Sequence, residues 1–101
     1  MFTGVDWSER DAHMYDRHGI TTGQAEEALA DPERVVIEPE YASRSGQSVR
    51  IIGYAPSLGT ILTVIVVVDR GHEYGASGWP ANDKDRSIYF GKGGVTDESY
   101  L

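Results

Sequence analysis

The longest apolar run in the chain is Thr60 to Val68, nine residues without a charge, in which Ile61, Val64, Ile65, Val66, Val67 and Val68 are β-branched. A short continuous apolar run between turn signals is the pattern of a strand buried on both faces. Ser57-Leu58-Gly59 precedes it and Asp69-Arg70-Gly71 follows it, and both read as turns. The run is too short for a membrane helix. It is predicted to be the central strand, with the rest of the chain pairing with it or covering it.

The segments on either side change period. Ser48 to Tyr54 alternates, with Val49 and Ile51 on one side and Arg50, Ile52 and Tyr54 on the other. The turn over 56–59 joins it to the central strand as an antiparallel hairpin. Val35-Val36-Ile37 is a short strand closed by Pro39, and 41–47 is a polar loop. A second hairpin turns at 69–72 and returns through 73–77. This return strand is rich in small residues (Gly75, Ala76, Ser77, Gly78), which mark the close approach of another backbone or a ligand. Trp79-Pro80 is expected to end it.

Three helices are predicted. Trp7 should lie against a sheet face, and Ser8 is an N-cap with Asp11 three residues on, opening a helix over 9–17 that His18-Gly19 closes. Thr21 with Gln24 forms a capping box for a second helix, whose Ala25, Ala28 and Leu29 share one face and which Asp31-Pro32 stops. Asn82, with Asp85 at the third helical position, caps a helix over 83–90 ended by Gly91. The order is two N-terminal helices, a four-stranded, mainly antiparallel meander and a C-terminal helix. This is an α+β fold with one sheet face covered by helices. Residues 1–92 are predicted as one domain and 93–101 as a flexible C-terminal tail.

Composition narrows the function without choosing it. The net charge is −7 and there is no cysteine, so disulfides and thiolate metal sites are excluded. Residues 1–40 hold ten acids and three bases, residues 41–68 only Arg44 and Arg50, and residues 69–101 six acids and four bases. Acidity therefore lies mainly in the N-terminal part, which disfavours non-specific nucleic-acid binding but leaves room for a locally positive site. No signal-like hydrophobic stretch opens the chain, so a cytoplasmic protein is expected. His13 and His18 point roughly 140° apart on one helix, and with no metal motif, no metal or other cofactor is expected. Neither a nucleophile elbow nor a phosphate-binding loop occurs.

One constellation carries candidate chemistry: Trp79, Asn82, Lys84, Arg86 and Tyr89, joined by Arg50 and Arg17 across the sheet. Arginine and lysine stabilise charge on a scissile phosphate, tyrosine, histidine or lysine can relay protons, and an aromatic can stack on an unpaired base. The plain alternative is that Lys84 and Arg86 pair with Asp83 and Asp85 on an exposed helix.

Trp7-Ser8-Glu9-Arg10, then Arg17-His18-Gly19-Ile20, then Ala30-Asp31-Pro32 resemble the opening of BrnT-like toxins. Arg50-Ile51-Ile52-Gly53 and the hydrophobic hairpin continue the likeness. Ala81-Asn82-Asp83-Lys84-Asp85-Arg86-Ser87-Ile88-Tyr89 resembles the family's closing A-(T/N)-x-x-E-R-x-x-Y. The resemblance spans about residues 5–89. It implies a RelE-like fold and the toxin half of a type II toxin–antitoxin pair, a metal-independent endoribonuclease that inhibits translation and is neutralised by a cognate antitoxin. Under this reading Arg50, Arg86 and Tyr89 are the catalytic candidates. Arg10, Arg17, His18, Trp79, Asn82 and Lys84 are the RNA-binding candidates. An edge strand and apolar helix faces could support a homodimer or a toxin–antitoxin hetero-oligomer, and no membrane is involved. The chain departs from the family in carrying Trp79 where an arginine is expected, in placing its strand arginine two residues after the family's position, now Ser48, and in its acidity. Those departures motivate the alternative of a non-catalytic protein-binding or regulatory module of the same fold.

Overall fold

The structure is a computed structural model that describes residues 4–7, 11–41, 43 and 46–91, the side chains of 11–13 aside. The expected Ser8 cap, Arg10 and the tail at 93–101 lie outside the described residues. The elements are α1 (Asp11–His18), α2 (Thr22–Ala30), β1 (Val35–Ile37), β2 (Ser48–Ala55), β3 (Thr60–Asp69), β4 (His72–Pro80) and α3 (Asp83–Gly91). The strands form one antiparallel meander in the order β1-β2-β3-β4. The α+β layout is therefore the observed one, with β3 inside the sheet and buried over most of its length. Among the described residues no helix is long and apolar enough to cross a membrane.

Local chemistry explains the helix ends. Thr21 Oγ1 accepts from Gln24 N at 3.1 Å, and Gln24 Oε1 accepts from Thr21 N at 2.9 Å, so the capping box opens α2. Gly19 ends α1 at φ 69°, a conformation glycine adopts without steric cost. Asn82 Oδ1 accepts from Asp85 N at 2.9 Å and starts α3.

The sheet has two unlike faces. Val49, Ile51, Leu62, Val64 and Val66 point toward α1 and α2, where they pack with Met14, Ile20, Ala25, Ala28 and Leu29. The alternate positions point the other way: Arg50, Ile52, Ile61 and Thr63 meet α3. The helices thus lie on both faces, whereas the sequence suggested one. The reason is the odd-even split of β2 and β3, which gives each face its own buried set.

Two further expectations are corrected at β4. Trp79 and Pro80 close the strand from within it rather than breaking it after 77: they pair with Thr63 and Leu62, and β4 ends at Pro80. Proline is tolerated at the tip of an edge strand because no ladder donor is needed there. The small residues of β4 do mark close approach, here of the side chains of Trp7 and Met14. The Trp7 ring lies where a Cβ on Gly75 would stand, and Met14 Sδ lies 3.0 Å from where one on Gly78 would stand. Residues around Asp6 add a short parallel bridge outside β4, with Asp6 N donating to Glu73 O and Gly75 N donating to Asp6 O, each at 2.8 Å. Trp7 is half-buried there, and its Nε1 donates to Glu26 Oε2 at 2.7 Å.

Candidate functional site

Arg50 is the only charged residue on β2, and its side chain points to the α3 face, where it is 5% exposed. A buried guanidinium requires carboxylates. Glu40, from the β1–β2 connection, accepts from Arg50 Nε at 3.2 Å and Nη2 at 3.0 Å through one oxygen. Asp85, fully buried on α3, accepts from Nη1 at 2.5 Å. The same Asp85 oxygen accepts from Thr63 Oγ1 at 2.7 Å, and its other oxygen accepts from the Tyr41 hydroxyl at 2.7 Å. Burial works against the Arg50 cation, but its bonds to Glu40 and Asp85 outweigh burial and raise its pKa above the usual value. Burial, and then the hydrogen bond to Asp85, pushes the Tyr41 hydroxyl up to about 12.

Above this cluster runs a chain of cation and aromatic contacts. Lys84 Nζ sits 3.9 Å from the centre of the Tyr41 ring, and the Arg50 guanidinium carbon sits 4.1 Å from it. The same carbon is 5.8 Å from the Trp79 ring, and Trp79 is in turn 5.8 Å from the His18 ring. Register explains the meeting of Trp79 with the cluster: it lies opposite Thr63 on the same face. Four elements and one loop therefore bring Arg50, Trp79, His18, Lys84 and Tyr41 into one contiguous site.

The other residues singled out from sequence stand apart from this chain of contacts or hold the framework. Tyr89 packs with Ile52 and Ile61, and its hydroxyl donates to Asp31 Oδ2 at 2.6 Å. Asp31 Oδ2 also accepts from Tyr54 N at 2.8 Å, and Oδ1 accepts from Glu33 N at 2.9 Å. Burial and then the bond to Asp31 push the Tyr89 hydroxyl up to about 12, so it keeps its proton at neutral pH. Arg86 lies with its guanidinium carbon 5.8 Å from the Phe90 ring, in an open groove shared with Asp83 and Ser87. Asn82 uses its side-chain oxygen to cap α3. Arg17 is exposed in the last turn of α1, with no ion pair or hydrogen bond to the cluster among the described residues. The pairing of Lys84 with Asp83 or Asp85 does not form, because Asp85 is turned inward to Arg50 and Lys84 lies on Tyr41.

No family model and no curated protein matches this chain. Its chemistry therefore has to be argued from the site itself. Among the described residues, no group of three histidines, aspartates or glutamates is placed to hold a metal ion. Sequence reasoning missed Glu40, Tyr41 and the inward role of Asp85. One signal was available: an arginine at an inward position of an otherwise apolar strand demands buried carboxylates somewhere in the chain.

Proposed function

We propose that this protein is a cytoplasmic toxin of the RelE-like, BrnT-like kind, acting on RNA and held in check by a cognate antitoxin. The observation that supports this reading is the contiguous run of contacts that joins Lys84, Arg50, Trp79 and His18. These residues combine one exposed cation, Lys84, with half-buried rings, the pairing that a single-stranded nucleic acid engages through its phosphates and bases. In the cleavage step the RNA's own 2′-OH attacks the adjacent phosphate. The bond to the 5′ oxygen breaks, leaving a 2′,3′-cyclic phosphate on one product and a 5′-hydroxyl on the other. Lys84 is the exposed cation of the cluster and stabilises the charge on that phosphate. Arg50 is tied to Glu40 and Asp85, so its part is to fix the site's geometry.

The second reading, a non-catalytic binding module of the same fold, rests on that tie. Two carboxylates compensate the Arg50 charge, and Tyr89 is engaged with Asp31. Induced expression in bacteria, with growth followed while new RNA 5′ ends are mapped, separates the two. Growth arrest with new ends, both lost in Lys84→Ala, is the expected result. If Arg86→Ala abolishes cleavage while Lys84→Ala leaves it intact, the reaction belongs to the outer groove of α3 and not to the cluster. Normal growth and intact RNA from soluble protein leave the binding module.

A further inference from the structure

We infer that Tyr41 is the stacking platform for an unpaired RNA base, with Lys84 as the contact to the neighbouring phosphate. This rests on RNA being the target. Tyr41 is 44% exposed, yet its ring is not free to turn, because its hydroxyl donates to the fully buried Asp85 carboxylate at 2.7 Å. That carboxylate is itself held by Thr63 and Arg50. The ring is thus anchored at its polar end and presented at its apolar face, at little further entropic cost when a ligand binds.

An exposed aromatic held in this way is rare among the described residues. Tyr15 and Phe90 are more exposed, but neither has a hydroxyl or ring contact to a buried charge. Among the described rings, Tyr41 alone also carries a lysine amine, 3.9 Å from its ring centre. Lysine is a flexible point charge, so Lys84 can swing from the ring to a phosphate when a base takes its place, whereas Arg50 stays fixed beneath by its two carboxylates. Stacking tolerates any base, so recognition here is of single-stranded RNA without strong sequence preference.

The test is equilibrium binding of fluorescent oligouridylate and oligoadenylate to the full chain, measured by anisotropy over a range of salt. Tyr41→Leu is expected to weaken binding about tenfold, the loss of one base–aromatic stack. Tyr41→Phe keeps the ring but loses its anchor to Asp85, so it should weaken binding by less than Tyr41→Leu does, about threefold. Lys84→Ala should lower the salt slope by about 0.7, the value for one phosphate on a single strand. Wild-type affinity in Tyr41→Leu, with its melting temperature unchanged, overturns the inference and leaves the RNA reading standing. If Tyr41→Leu does not fold, ultraviolet cross-linking of wild-type protein to oligouridylate decides: a cross-link mapped to Tyr41 supports the platform, and cross-links confined to other peptides overturn it. No binding of either oligonucleotide by wild type removes the RNA reading, and the inference with it.

Discussion

The two faces of the sheet are held by different physics. Under α1 and α2 the contacts are apolar: Met14, Leu29, Ile51, Leu62 and Val64 are all buried in one cluster. Each such side chain contributes about 1.5–3 kcal/mol on leaving water. Under α3 the buried apolar set is small, Ile52, Ile61 and Tyr89, and a charged cluster of Arg50, Glu40 and Asp85 lies beside it. There the Coulombic gain and the hydrogen bonds must offset the desolvation of three ions, so the net stabilisation is small while every member is present. The apolar face is additive and robust. The polar face is all-or-none, and it is also the face that carries the exposed cations and rings. What makes α3 costly to misplace is the same set of bonds that fixes the Tyr41 ring and the Arg50 guanidinium.

The largest effect is expected on the apolar face, where the backbone of β2 meets the backbone of α2. A Cβ at Gly53 would run into the carbonyl of Ala28, so α2 would have to lift off β2. Backbone cannot yield as a side-chain tip can, and Gly53→Ala should cost more than about 3 kcal/mol. At about 4–8 °C per kcal/mol for a domain of this size, the melting temperature falls by more than about 12 °C. A variant that melts within about 3 °C of wild type would show that the two elements are not in contact there.

Next comes the polar face. Asp85→Ala removes one carboxylate and strands Arg50, Thr63 and Tyr41 together. Breaking a buried pair by deleting one partner costs about 3–5 kcal/mol, and the remaining bonds from Arg50 to Glu40 place this case near the lower end. Asp85→Asn retains the shape and an acceptor, so it separates the charge from the hydrogen bonds. If urea unfolding gives both variants wild-type stability, the cluster is not what holds α3.

A smaller change is expected at Gly75, again on the apolar face. Here a Cβ meets the Trp7 ring, a side chain on a segment held outside β4 by one bridge. A side chain can yield where backbone cannot, so Gly75→Ala should cost about 1–2 kcal/mol. Tryptophan fluorescence should report Trp7 becoming more exposed and separated from Glu26. Unchanged emission would mean that the ring does not cover β4.

The difference between the faces also explains what could be read from the chain alone. The β3 run, the alternation of β2, the Thr21–Gln24 box and the Asn82 cap are local patterns, legible because each depends on residues a few positions apart. Arg50 stood out on an apolar strand, but its partners are ten and thirty-five positions away. No periodicity links them. Tyr41 sits in a polar loop, where nothing in the pattern marks a ring anchored to a helix. Asp31-Pro32 was legible as a helix stop, while its carboxylate as the acceptor for Tyr89 and Tyr54 was not, because that contact depends on where α3 lands. The alternation of β2 put Arg50 and Ile52 on one side, yet it took the register of β3 and β4 to show that α3 covers that side.

Tyr89 tests the boundary between the two kinds of packing, since it joins the small apolar set of α3 with its ring and Asp31 with its hydroxyl. Tyr89→Phe keeps the ring and loses one donor to a carboxylate that still accepts from Tyr54 N and Glu33 N. A cost of about 1 kcal/mol is expected at neutral pH. The pH dependence gives a sharper outcome. The folded-state pKa of Tyr89 is raised from 10.0 to about 12. The folded protein therefore holds this proton more tightly than the unfolded chain. The stabilisation is fully present below pH ~10 and is lost as pH rises toward ~12, at a rate on the order of 1 kcal/mol per pH unit. Denaturant unfolding of wild type and Tyr89→Phe across that window should show the gap closing and then changing sign, because only wild type has this tyrosine to ionise. A gap that stays constant to pH ~12 would mean that the hydroxyl is neither buried nor held by Asp31. In that case α3 is fixed by Asp85 and its apolar contacts alone.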